Sequence, residues 1–173
     1  MNVAFITQGA AFALASALVV ATLRPGRGAV AFLGFALLYG AGSATVGLFP
    51  SGGTGTPALI HFGGAAAAIL SGNLAVIAAG VLWCRSRFRV IGFTSILLGV
   101  AGLLSGGLLL CHSMLGAQVF FGAGTWERGA VYPIISWQLL VGIRSVRWRS
   151  HRESVPGINE DAGRTATNGM AGG

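Results

Sequence analysis

Lysine is absent from this chain, and aspartate and glutamate together number four in 173 residues. Charged residues of both signs make up 9% of the sequence, where a soluble domain carries about 25%. Four carboxylates are too few to give a folded surface of this size its solvation. With 54% hydrophobic residues, the composition leaves an integral membrane protein as the class. A net charge of +7 raises the question of nucleic acid, but the placement of the charges answers against it. Ten of the eleven arginines lie in short connections or just past the last apolar run, where membrane topology signals belong. The lack of lysine beside abundant glycine and alanine fits a GC-rich bacterial genome.

Five apolar segments are present: Asn2 to Leu23, Ala29 to Phe49, Pro57 to Trp83, Val90 to Leu115, and Gly129 to Ile143. The first four have 21 to 27 residues each, enough for about 30 Å of hydrocarbon at about 1.5 Å per residue. The fifth has fifteen residues before Arg144 and spans only if Arg144 and Arg147 snorkel or the bilayer thins. A re-entrant segment is the alternative there. Ala13-Leu14-Ala15 resembles a signal cleavage site, but no positive residue precedes the run, and 22 uncharged residues are long for a signal. The fold expectation is therefore all-α: a polytopic transmembrane helical bundle over 1–150, with a disordered cytoplasmic tail over 151–173 that is polar and glycine-rich from Ser154.

Arginine counting sets an expected orientation. The first connection holds two arginines, the third three, and Arg144 to Arg152 four; the second holds none, and the fourth has Arg128 beside Glu127. Positive loops face the cytoplasm, which places the N-terminus outside and the C-terminus inside a bacterial cytoplasmic (inner) membrane. Cys84 and Cys111 then fall at opposite faces, too far apart for a disulfide, and read as packing residues. Gly63, Gly64, Ala65 to Ala68 and Gly72 give the third helix a thin face, as Gly99, Gly102 and Gly106 do on the fourth, so that backbones can approach. Arg147-Trp148-Arg149 reads as an interface anchor for anionic lipid.

The polar minority gathers at the expected outer end. His61 lies about one turn into the third helix, and His112 about one turn below the end of the fourth. Glu127 and Arg128 open the fifth, and Tyr132 follows Arg128 at i+4. Gln8 and Gln118 fall near the same level, and Gly129 leaves room for a kink at Pro133. One reading makes His61, His112, Glu127, Arg128 and Tyr132 an outward-opening polar pocket for a lipid headgroup or a proton. The other makes Glu127-Arg128 a helix-start ion pair and gives His61 a loop carbonyl to satisfy. Asn73, mid-helix, needs partners and reads as structural glue, most simply to a Ser or Gln of another helix.

Catalytic templates mostly fail. There is no HxxxH or HExxH pair, Glu127 is the only outer carboxylate available to orient a histidine, and Gly52-Gly53-Thr54-Gly55 lacks the lysine of a phosphate loop. No cofactor or metal is expected, and an enzyme is the less favoured class. Expected partners are the lipid bilayer, a lipid or small amphiphile, and a further copy of the chain; nucleic acid is not among them. Rival functions are a small transporter or proton-coupled permease using Ser71, Asn73 and Gln138, a membrane lipid hydrolase using His61 and His112, and a structural subunit without ligand.

VGLFPSG, HFGGAAAAI and GTWERGAVYPIISWQLLVG, at 46–52, 61–69 and 124–142, resemble the bacterial integral membrane family known as domain of unknown function 998. The resemblance runs from Met1 to about Ile143, with Gly47, Phe49, Pro50, His61, Glu127, Arg128, Tyr132 and Trp137 its most specific positions. It implies a bundle of about six transmembrane helices. Met1 to Phe5 resembles the start of the family's second helix, so the resemblance implies a full-length form with one more span upstream.

Overall fold

The computed structural model describes residues 2–22, 26–49, 54–86, 88–115 and 121–153. Among them every regular element is an α-helix: α1 (Asn2–Thr22), α2 (Arg27–Leu48), α3 (Thr56–Cys84), α4 (Arg89–Leu115) and α5 (Ala123–Glu153). The first four match the apolar segments to within two residues at either end. Their termini sit where charge, proline or glycine interrupts the apolar run. Gly55 precedes α3 at φ +68°, a left-handed conformation that glycine adopts without strain, and a proline follows in the first turn, where its missing N–H costs nothing. By length and composition, α1 to α4 are each able to cross a membrane.

The fifth helix differs from the sequence expectation. It spans 31 residues rather than the fifteen of the apolar run, starting before Glu127 and continuing through Arg144 and Arg147 to Glu153. Hydropathy marks where a segment tolerates lipid, whereas backbone hydrogen bonding continues through charged turns that favour helix. Pro133 lies inside this helix. The helix also enters the first three residues of the stretch read as tail; residues from Ser154 on, together with Gln118 and Pro50, lie outside the described residues.

The chain divides into two compact units, Met1–Trp137 and Gln138–Gly173. In the first, α1 packs on α2, α2 on α3 and α3 on α4. Short connections make these neighbours antiparallel. This unit buries several polar side chains and exposes many large apolar ones. Ser16, Ser43, Ser71, Asn73 and Ser95 are buried, while Leu14, Leu18, Val30, Leu59, Phe62, Val90 and Leu104 are exposed. Such a distribution is stable where the surroundings are apolar.

Glycines decide how close the helices come. A Cβ on Gly40 would stand 3.0 Å from the Gly9 carbonyl, joining α1 to α2. One on Gly42 would stand 2.7 Å from both the Gly64 carbonyl and the Ala68 nitrogen, joining α2 to α3. One on Gly80 would stand 2.7 Å from the Gly92 carbonyl, joining α3 to α4. Backbone meets backbone at each crossing, as packing without a hydrophobic drive requires. Gly64 and Gly99 also approach a backbone carbonyl of the neighbouring helix, whereas Gly72, Gly102 and Gly106 make room for side chains: Tyr39 and Ile134, Asn73, and Ile69. Gly63 faces open space.

An aromatic cluster fills the centre of the unit. Phe12 meets Phe32, Tyr39 and Trp137 at ring-centroid distances of 6.3, 5.3 and 6.0 Å, each near perpendicular. Trp83 stacks on Trp137 at 5.8 Å. Such pairs contribute about 0.5–1.5 kcal/mol each beyond their buried area.

Candidate functional site

His61 resolves into a definite contact. Helix α2 ends at Leu48 and Phe49 caps it, with a carbonyl beyond the helix's own hydrogen-bond ladder. The carbonyl oxygen lies 2.6 Å from the Nδ1 of His61, one turn into α3. A carbonyl only accepts, so Nδ1 carries the hydrogen and donates it. In the neutral ring Nε2 is then an acceptor. His61 thereby fastens the end of α2 to the start of α3, and its ring meets Phe62 edge-on at 5.9 Å.

The remaining candidates share one end of the bundle but not one face. Trp137 bonds to Ser95, while Gly129 packs at Ser105 and Gly106 lies by Ala130, so α4 and the first half of α5 run antiparallel. His112 lies two turns beyond Ser105 on the same side of α4. It is half-buried, and its Nδ1 is buried without a hydrogen-bond partner. On α5, Ala130, Ile134 and Trp137 are buried at i, i+4 and i+7, so this is the packed face. Arg128 and Tyr132 each stand two residues from Ala130, about 200° round the helix, and both are exposed. Tyr132 is 57% exposed. Glu127 is exposed beside them. Arg128 and Tyr132 thus form a peripheral pair, directed away from the core into which His112 turns. Gln8 is half-buried on α1.

An aromatic pair borders the start of α5. Phe121 and Trp126 lie 5.7 Å apart, edge to face, with Phe121 exposed. Tryptophan, with an apolar ring system and a polar N–H, settles at the level of lipid headgroups.

Deeper in the unit, the polar groups are engaged. Asn73 donates from Nδ2 to the Ile69 carbonyl at 2.8 Å and to the Ala130 carbonyl on α5 at 3.0 Å. Its Oδ1 has no hydrogen-bond partner and packs against Gly102 of α4, in the space a Cβ there would fill. Asn73 therefore acts as glue, but to a backbone carbonyl rather than to a Ser or Gln. Ala130 lies next to Gly129, whose carbonyl has no helical donor because Pro133 carries no N–H. Neighbouring helices commonly supply donors to such turns in membranes. Ser71 donates to Ala67 in its own helix, and Ser95 to Ile91. Gly129 also leaves room for Ser105, whose Oγ would stand 2.8 Å from a Cβ there.

Both cysteines are free thiols. Cys84 packs against Gly92, as expected of a packing residue, whereas Cys111 is exposed on α4. Among the described residues, no three His, Cys, Asp or Glu side chains gather as a metal site would need. Of the aromatic cluster and the Trp137–Ser95 bond, only Trp137 is singled out in the sequence, as part of the quoted motif; Phe12, Phe32, Tyr39, Trp83 and Ser95 are not. Aromatic rings inside apolar runs carry no periodic signal that separates a packed ring from a lipid-facing one.

No protein-family model matches the chain. Searches of the curated proteins and of the solved structures likewise return no match. What the sequence and fold establish together is a helical protein with four helices able to cross a membrane.

Proposed function

We propose that this is a multi-pass protein of the bacterial cytoplasmic membrane that binds a phospholipid or similar amphiphile, without catalysis, at the periphery of the α5 start. The orientation follows the arginine asymmetry of the connections, with this end outside and the C-terminus inside. The observation that carries the reading is the exposure of Arg128 and Tyr132 on one face of α5, opposite the buried Ala130, Ile134 and Trp137. A guanidinium offers paired donors to a phosphate, and a phenol one turn on offers a third. The Phe121–Trp126 pair alongside suits the depth at which headgroups lie. On this reading lipid enters sideways from the bilayer rather than through an enclosed pocket. His61 stays outside the site, because its Nδ1–H is given to Phe49. Kinship with the membrane family named above rests on the quoted motifs.

Native mass spectrometry of the gently extracted protein tests this. The wild type should retain a discrete phospholipid mass, the Arg128→Gln/Tyr132→Phe variant should lose it, and His61→Ala should keep it. A wild type that carries no adduct, or a double variant that carries the same one, overturns the reading.

A further inference from the structure

We infer that the last three turns of α5 form a basic interfacial helix that binds the anionic phospholipid surface of the bilayer. The apolar run stops at Ile143, but α5 continues to Glu153. Those ten residues carry Arg144, Arg147, Arg149 and Arg152 against the single carboxylate of Glu153. Helical backbone matters here because it sets the register. Arg147 follows Arg144 at i+3, a spacing that keeps the two on one side of a helix. Arg144 and Arg147 are both exposed.

What precedes them decides the partner. In the same unit, Leu139, Ile143 and Val146 are exposed at 61%, 54% and 70%, forming an apolar strip that leads up to Arg147. Gln138, Gly142 and Arg147 adjoin this strip on the open side of the helix. An apolar strip that passes within one turn into arginines matches the passage from acyl chain to headgroup. A soluble polyanion would match the arginines but leave the strip in water. Arginine pairs with phosphate through two donors. Anionic phospholipid is therefore the occupant that fits both parts. Each arginine near such a surface raises binding about fivefold.

The inference is independent of the α5-start site and is tested separately from it. The full chain is reconstituted in bilayers holding spin-labelled phosphatidylglycerol or spin-labelled phosphatidylcholine, and the relative association of the two labels with the protein is read by electron paramagnetic resonance. The wild type should prefer phosphatidylglycerol several-fold. At about 1 M salt, where the screening length is about 3 Å, that preference should collapse. Arg144→Gln/Arg147→Gln should reduce it towards parity at low salt. Equal association of both lipids with the wild type overturns the inference, and so does a preference that survives high salt or the Arg144/Arg147 variant. The salt arm uses the wild type alone and does not depend on how any variant folds.

Discussion

Asn73 and Ala130 are joined by a hydrogen bond of 3.0 Å that spans 57 residues of sequence, from the middle of α3 to the turn of α5 before Pro133. The same amide presses its oxygen on Gly102 of α4, so one side chain touches three helices. Asn73→Ala should lower stability by about 0.5–2 kcal/mol, the range for side-chain hydrogen bonds inside membranes. Asn73→Asp should cost more, because it replaces the donor with an acceptor facing two carbonyls. Unfolding in mixed micelles measures both, and an aspartate variant as stable as wild type would refute the assignment.

Gly102→Ala places a methyl where the Asn73 amide stands. That amide is held by two hydrogen bonds and yields little, so overpacking should cost about 1–3 kcal/mol. In the Asn73→Ala background the same substitution should be nearly silent. The double-mutant cycle should therefore show a coupling of about 1 kcal/mol or more.

Trp137 donates its indole N–H to the Ser95 hydroxyl at 2.8 Å while stacking on Trp83. Ser95→Ala leaves that donor buried and unmet, at an expected cost of about 1–3 kcal/mol. Trp137→Phe removes donor and need together, so Ser95→Ala added to Trp137→Phe should cost clearly less than Ser95→Ala alone. Thermal melts of the four proteins decide it.

Gly42 and Gly63 make a matched pair. Gly42→Ala meets the backbone of α3 at 2.7 Å, which only a shift of the helix relieves, whereas Gly63→Ala meets nothing within 4 Å. Gly42→Ala should destabilise by about 1–3 kcal/mol. Gly63→Ala should be neutral or stabilise by up to about 1 kcal/mol through helix propensity. Equal effects would mean that α2 and α3 do not cross where the structure has them.

His61→Ala frees the Phe49 carbonyl at the end of α2. Hydrogen exchange at the Phe49 amide, itself bonded to Thr45, should quicken because the last turn frays, while global stability falls by no more than about 1.5 kcal/mol. Unchanged exchange would show that His61 does not hold this turn.

The reading of His61 shows how far sequence carries a polar residue. Its place one turn into α3 and the presence of a loop carbonyl within reach were both legible. Whether the ring turned to that carbonyl or to Glu127 and Arg128 was not, because the choice depends on where the α2 end sits against α3. Tyr132 was correctly placed on the face of Arg128, since i+4 spacing is local. That this face points away from the packed side of α5 followed only from the burial of Ala130, Ile134 and Trp137.

The sequence by itself determined the class of the protein, the bounds of α1 to α4 and the end of the bundle at which His61, His112, Glu127 and Arg128 lie. Each follows from properties that run along the chain: apolar length, the position of arginines and the alternation of helix direction. The extent of α5 needed backbone hydrogen bonding, which continues where hydropathy stops. Only the tertiary structure decided the partners, Asn73 with Ala130, Trp137 with Ser95 and Gly42 with Gly64, and that the shared face of Arg128 and Tyr132 is the open one. In a solvent as apolar as leucine, hydrophobicity cannot choose which face turns inward. Close backbone approach and the need to satisfy a few buried polar groups make that choice, and both exist only once the helices have met.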